Sequence, residues 1–294
     1  MSAVAKAKRI AASLACWSGP VDPQPLAGGL TNHNFVVEDG GERFVVRVAD
    51  DIPIHGIMRF NELAASCAAH AAGVSPEVVH AETGALVLRF IDGETFDAAA
   101  VRKADAEGRI LPLLRRVHHD IPKYFRGPVL AFWVFQSMRG YGIALREGGS
   151  RMAAELPRFS AINETLEAAV GPVNLVFGHN DLLAANFMDD GTRLWLIDWD
   201  YAGLNSPLFD LANLASNNGF SEAEETRLLE AYYETAINDQ MRGRFSAMKC
   251  ASLLREAMWS MVSEIYLEID VDYVAYTAEY LARFEAAYAA FEET

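Results

Sequence analysis

Apolar residues recur at helical spacing from Val4 to Trp17 and predict a short amphipathic helix. From Pro25 to Ala49 the pattern changes to strands and turns. Leu26-Ala27-Gly28-Gly29-Leu30-Thr31-Asn32 reads as a glycine turn, His33 to Glu38 as a strand, and Asp39-Gly40-Gly41 as a hairpin signal leading into a second strand, Phe44 to Val48. An Ala-rich stretch, Met58 to Ala72, predicts a helix that Gly73 ends. Val78 to Ala81 and Ala85 to Ile91 read as two more strands. After Asp92-Gly93 the pattern is almost wholly helical, broken by an island of strands and loops between Asn174 and Asp200. The expected fold class is therefore α+β and bilobal. A small strand-rich lobe, residues 1–91, precedes a larger mainly helical lobe, residues 92–294, with a hinge at Phe90-Ile91-Asp92-Gly93.

Composition narrows the picture only slightly. The chain has 294 residues, 51% of them hydrophobic and 22% charged, enough for two lobes that each bury a core. Neither the first residues nor any later segment shows an apolar run long enough for a signal peptide or a membrane span, so no integral membrane association is expected. Cys16, Cys67 and Cys250 stand far apart and outside any C-x-x-C pairing, which reads as buried free thiols in a reducing cytoplasm. A net charge of −15 argues against nucleic acid or an anionic membrane as partner. It permits a cationic substrate, although solubility alone accounts for such a charge.

The chemistry concentrates in the island. Phe177-Gly178-His179-Asn180-Asp181-Leu182-Leu183-Ala184-Ala185-Asn186-Phe187 is followed by Leu194-Trp195-Leu196-Ile197-Asp198-Trp199-Asp200-Tyr201. An Asp on a loop has an Asn five positions on, and a second Asp ends an apolar strand. Phosphoryl transfer to a hydroxyl needs a carboxylate to orient it and accept its proton. It also needs oxygen ligands for a Mg²⁺ that bridges phosphates. Asp181, Asn186 and Asp198 are the right residue types at the right spacing. One such match arises readily by chance, since Asp and Asn are common in turns; two linked motifs in this order do not.

H-N-D-x-x-x-x-N followed by I-D-W-D resembles the catalytic and metal-binding segments of the choline/ethanolamine kinase and aminoglycoside phosphotransferase superfamily, and is similar to the signatures of protein kinases. Asn180 and the continuation Tyr201-Ala202-Gly203-Leu204-Asn205-Ser206-Pro207-Leu208-Phe209-Asp210-Leu211-Ala212 lean toward its choline kinase branch. The resemblance implies a protein-kinase-like fold, ATP and Mg²⁺ as cofactors, Asp181 as the catalytic carboxylate, and Asn186 and Asp198 as metal ligands. It makes His179 a hydrogen-bonded scaffold of the loop and Asp210 its anchor from a helix start.

The same resemblance places ATP. Gly28 and Gly29 let backbone approach phosphates, and Thr31 and Asn32 add donors, though Gly-Gly turns are also common without any ligand. Arg47 stands on the strand where protein kinases carry a Lys, and Glu62 on the next helix is its expected partner; the alternative is an edge-strand Arg in solvent. The hinge, Arg89 to Ile91 and hence Phe90 and Ile91, is expected to offer backbone groups to adenine.

The acceptor is less constrained. A cationic amino alcohol such as choline or ethanolamine is expected, because quaternary ammonium groups are received by aromatic faces with carboxylates nearby. The resemblance points to Tyr201, with Asp200 as acidic neighbour, and to the helix Leu253 to Val262. There the family carries two tryptophans one turn apart; here Trp259 remains and Glu256 replaces its partner. Tyr276 is a further candidate, and Trp133, Tyr266 and Tyr273 complete the aromatic set; aromatics at helical spacing also serve as core. An aminoglycoside or other small-hydroxyl kinase is the alternative enzyme, and a pseudokinase that binds without turnover the alternative class. Nothing in the sequence reports on oligomeric state.

Overall fold

The computed structural model describes residues 2–29, 31–269 and 271–293. Leu30, within the expected glycine turn, lies outside the described residues.

The fold begins with helix α1 (Ala3–Ala12), shorter than the expected helix because the chain leaves it at Ser13; the Trp17 indole then folds back to donate to Ala11 O at 2.8 Å. Five antiparallel strands follow, β1 (Gln24–Leu26), β2 (His33–Asp39), β3 (Glu42–Val48), β4 (Val78–Glu82) and β5 (Ala85–Arg89), arranged in the order β1-β2-β3-β5-β4. Alternation along the strands sends Phe35, Val37, Phe44, Val46 and Val48 to one face, where Ala7, Ala11 and Leu14 cover them. Arg47, between two of those inward residues, therefore leaves from the opposite face, toward α2 (Arg59–Ala71).

The α2 helix serves both halves of the molecule. Its Ala65, Ala68 and Ala69 join the large helical core, while Glu62 and Asn61 are buried on the side toward the sheet and the island. The link to the island is reinforced past the helix end, where Leu196 N donates to Val74 O at 3.1 Å and Ser75 Oγ to Leu196 O at 2.5 Å.

Beyond the sheet come β6 (Glu94–Thr95), α3 (Ala98–Ala106), α4 (Ile110–His119), α5 (Ile121–Tyr124), α6 (Val134–Glu147) and α7 (Leu156–Val170). The island holds β7 (Val176–Gly178), β8 (Phe187–Asp189) and β9 (Leu194–Leu196), and continues past Asp200 into β10 (Gly203–Asn205), which pairs with β7. Strands β6, β8 and β9 form a separate small sheet. Two- and three-residue strands such as β6 and β10 carry no readable period, so the sequence pattern did not announce them. Helices α8 (Pro207–Asn218), α9 (Glu222–Tyr233), α10 (Asp239–Tyr266) and α11 (Tyr273–Glu292) complete the chain. The 28-residue α10 is the spine of the larger half, buried continuously from Ala247 to Ser263 apart from Lys249.

No described helix is long and apolar enough to cross a membrane. The three cysteines are free, but only Cys250 is buried; Cys67 faces solvent from α2 and Cys16 is half-buried, which corrects the expectation of three buried thiols.

Candidate active site

The loop after β7 is held by one buried carboxylate. Asp210, in the first turn of α8, accepts from His179 N at 2.9 Å and Asn180 N at 2.8 Å, and pairs with His118 Nε2 at 3.0 Å. Burial alone would raise its pKa; His118 and the His179 N–H reverse that and hold it below the usual carboxylate range. His179 contacts Ile197 O through Nε2 at 3.0 Å, and burial pushes its pKa down, so it is a neutral strut between the two motifs. This is the arrangement the resemblance implied for both residues.

Two residues of the island sit in the left-handed region without being glycine, Asn180 at φ 68° and Asp198 at φ 69°. Such positions cost on the order of 1–3 kcal/mol and persist where surroundings over-determine them. Asn180 is pinned by donating to Tyr201 O at 2.9 Å and by accepting from Asn205 at 3.0 Å. The resulting turn brings Asp181, Asn186 and Asp198 to one place. Asn186 donates its amide to Asp181 O at 2.8 Å, which leaves its side-chain oxygen as the available ligand atom.

Asp181 carries an unusual charge environment. Burial raises its pKa well above the ordinary value, the Glu256 carboxylate adds to the rise, Arg255 opposes it, and Asp198 and Asp200 push it further up. For Asp181 in the role the sequence resemblance implies, a proton acceptor that must be ionised to act, the acid limb of kcat/KM is expected above the ordinary carboxylate range. Because Glu256 is the largest charge contributing to the rise, Glu256→Gln is expected to move that limb to lower pH. A pH–rate series on the two proteins checks this, and a limb that stays put or moves up would separate Glu256 from Asp181.

Opposite the loop lies a buried network of two arginines and three carboxylates. Arg47 bonds Glu62 at 2.8 Å, Asp198 at 2.9 Å and Asp200 at 3.1 Å. Arg59 bonds Glu62 at 2.5 Å and Asp200 at 2.8 Å. The expected Arg47–Glu62 pair is thus present, and Arg47 is buried rather than at a solvent-facing edge. Burial works against the charge on Arg47, and Asp198, Glu62 and Asp200 together keep it protonated. Burial likewise opposes ionisation of Asp198, and Arg47 outweighs it and holds that carboxylate below its usual range. Arg59 was missed from sequence; its spacing of three from Glu62 is the one local signal it gives.

Asp200 is placed differently from the expectation. Its oxygens are taken by Arg47, Arg59 and Thr31 Oγ1, the last at 3.0 Å, so it belongs to the sheet-side network and not to the aromatic end of the site. Thr31 is correspondingly tied to the island. The glycine turn links β1 to β2 with Gly28 at φ 108° and Gly29 at φ 81°, conformations that favour glycine. A Cβ on Gly29 would lie 2.9 Å from Asn34 Nδ2. Asn32 Nδ2 is buried and has no partner among the described residues. At the hinge, the Phe90 N–H is already donated to Arg43 O at 3.2 Å, which removes it from the donors open to a ligand, and Ile91 is buried. Gly93 presses on β8 so closely that a Cβ would stand 2.7 Å from Asp189 O.

The aromatic end is built from α10 and α11. Trp259 is buried, its ring centroid 6.0 Å from that of Tyr276, 6.2 Å from Tyr273 and 5.3 Å from the His55 ring. Glu256 accepts from Tyr276 OH at 2.8 Å and from Arg255 at 2.8 Å. One face of the Tyr201 ring is occupied from within the protein. The Arg255 guanidinium carbon stands 4.3 Å above its centroid, because the α10 turn that carries Glu256 also directs Arg255 under the island. Arg255 and His55 are further residues that sequence reasoning missed. Trp133 and Tyr266 are elsewhere, bonded to Glu167 and Ala144 O.

Comparison with known proteins settles the family. A model described as the phosphotransferase enzyme family matches residues 22–246. The chain belongs to that family. It is 26% identical to protein LicA of Haemophilus influenzae over 92% of this chain and 80% of the relative. It is also 26% identical to a probable ethanolamine kinase of Arabidopsis thaliana, over 85% of this chain and 75% of the relative. The crystal structure of a choline/ethanolamine kinase family protein from Mesorhizobium loti superposes with a TM-score of 0.75 and 28% identity, covering 96% of this chain and 94% of that one. The fold is the bilobal α+β arrangement expected from the sequence pattern, of the protein-kinase-like kind that the family resemblance implied.

Proposed function

We propose that this phosphotransferase moves the γ-phosphoryl group of ATP to the hydroxyl of a small amino alcohol of the choline and ethanolamine class. The observation that carries the reading is the convergence of Asp181, Asn186 and Asp198 on one side of a buried Arg47–Glu62 pair. The relatives named for ethanolamine and choline kinases support the acceptor class.

The donor set fits the cofactors. Among the described residues no three His, Cys, Asp or Glu side chains are grouped to hold a metal by themselves. Two oxygen ligands, Asp198 and Asn186, suit a Mg²⁺ that takes its remaining ligands from phosphates and water. Asn32 Nδ2, buried and without a partner among the described residues, is a donor suited to an acceptor such as a phosphate oxygen. When bound, Mg²⁺ would neutralise charge that develops on the phosphates. Arg47 holds Asp198 in place. Asp181 orients the acceptor hydroxyl and takes its proton as the hydroxyl oxygen bonds to phosphorus and ADP departs. Residues 1–91 would hold the nucleotide, with Gly29, Thr31, Asn32 and the hinge on its side, and residues 92–294 the acceptor, with Glu256, Trp259 and Tyr276 around the ammonium.

The test is ADP release with Mg²⁺ titration across ethanolamine, choline and an aminoglycoside such as kanamycin. Turnover with an amino alcohol and none with kanamycin supports the reading; the reverse replaces it. In Asp198→Ala, activity should fall far more than in Asp200→Ala, and its Mg²⁺ dependence should weaken. Unchanged Mg²⁺ dependence would remove Asp198 from the metal site.

A further inference from the structure

Arg255 is 2% exposed, yet its hydrogen bonds are incomplete. Nη1 reaches Glu256 at 2.8 Å, and the guanidinium plane rests near the Tyr201 ring and, at 5.4 Å, near Phe132. Nε and Nη2 meet no partner at hydrogen-bond distance and angle among the described residues, and the Tyr141 hydroxyl interacts with this guanidinium from outside the Tyr201–Glu256 cluster. These two N–H groups lie along one edge of the guanidinium, the edge that meets the two oxygens of a carboxylate in parallel. The Tyr201 hydroxyl and Trp259 Nε1 are also buried without partners among the described residues.

Each of these four groups can donate. Arg255 lies on the Tyr201 ring, Trp259 follows Arg255 by one turn of α10, and the Tyr201 carbonyl is bonded by Asn180, the neighbour of Asp181. Buried polar groups are nearly always satisfied. A cation cannot satisfy a guanidinium, so the missing partner supplies acceptor oxygens, and a carboxylate presents two of them in the spacing that matches this edge. One face of Tyr201 is already covered by Arg255, which leaves less of the ring for a quaternary ammonium. Glu256, bonded to Arg255 through one oxygen and to Tyr276 through the other, with the Tyr276 ring against Trp259, is the carboxylate bonded into this aromatic group and the end assigned to an amine.

The geometry points to Arg255 as an oxyanion subsite of the acceptor pocket. The compound phosphorylated here carries a carboxylate beside its hydroxyl and ammonium, as a hydroxy amino acid does. This rests on the reading of the site as an amino-alcohol phosphotransferase and narrows its acceptor. Asp181 faces the hydroxyl, Glu256 the ammonium and the Arg255 edge the carboxylate. In the transfer the hydroxyl oxygen bonds to the γ-phosphorus as the bond to the ADP oxygen breaks. The hydroxyl proton passes to Asp181, and the carboxylate is unchanged.

The experiment compares kcat and KM for ethanolamine, choline, L-serine and L-homoserine in the wild-type enzyme and in Arg255→Lys, which keeps the charge and loses the two-point edge. Charge-assisted hydrogen bonds of this kind correspond to on the order of ten- to hundredfold in binding. One hydroxy amino acid should therefore exceed ethanolamine in wild-type kcat/KM by at least about tenfold. Arg255→Lys should raise the KM of that acceptor by about tenfold more than it raises the KM of ethanolamine. L-Alanine, which has the carboxylate and ammonium but no hydroxyl, should compete in the wild type where ethylamine does not, and this needs no variant. Wild-type preference for ethanolamine or choline, with no competition by L-alanine, would overturn the subsite while leaving the amino-alcohol reading intact. So would a loss in Arg255→Lys confined to kcat and equal for all acceptors, which would put the free edge on the transferred phosphoryl group, or equal small losses, which would leave it facing water. Absence of phosphorylated product from all four compounds would overturn the parent reading with it.

Discussion

Replacing Asp181 with asparagine is expected to remove most turnover while leaving the fold and nucleotide binding in place. The amide is close in shape, and the backbone carbonyl of residue 181 remains to accept from Asn186. What disappears is the proposed acceptor of the hydroxyl proton, an effect of about 10²–10⁴-fold on kcat. The raised pKa of Asp181 sharpens the expectation. A carboxylate made more basic by burial and by Glu256 takes a proton more readily than an exposed one, and asparagine has no such property. Steady-state kinetics with the best acceptor, alongside a thermal melt, check this. A variant with near wild-type kcat would take Asp181 out of the catalytic role.

Arg47→Leu is expected to be the most damaging single change to stability. The side chain is 8% exposed and sits among Glu62, Asp198 and Asp200. Removing it leaves three buried carboxylates with only Arg59 between them, and breaking a buried charge network in this way costs about 3–5 kcal/mol. Arg47→Lys keeps the charge but has a single ammonium in place of the fork, so it should recover part of the stability and less of the activity, because Asp198 is no longer held by a fixed planar donor. Denaturant unfolding of the two variants checks the order. A leucine variant as stable as the wild type would mean that the carboxylates are satisfied by other means.

The parts of the site that were legible in sequence are those whose geometry is local. Asp181 and Asn186 are five residues apart in one loop, and Asp198 lies two residues past β9, so spacing and the family resemblance together pointed to them. Arg47 and Glu62 were legible because the strand–helix order of the small lobe repeats a known pattern. Arg59 and Arg255 were not. The bond from Arg59 to Asp200 spans 141 residues of chain, and the stacking of Arg255 on Tyr201 joins α10 to the island. No periodicity or turn signal encodes such contacts. Tyr201 and Asp200 show the converse: neighbours in a motif, they point into different ends of the site, one under Arg255 and the other into the Arg47–Arg59 network. The fold was readable where helices are long or strands alternate, and unreadable at β6 and β10, where two or three residues pair only because the helical body brings them alongside β8 and β7.

The central claim is that a phosphoryl group is transferred to an acceptor hydroxyl beside Asp181. Phosphorus NMR of a reaction containing ATP, Mg²⁺ and the amino-alcohol acceptors follows it directly. The account predicts a phosphomonoester resonance that grows in step with ADP in the wild-type enzyme and is nearly absent in Asp181→Asn. ADP accompanied only by inorganic phosphate, or a phosphomonoester formed at equal rates by both proteins, would contradict it.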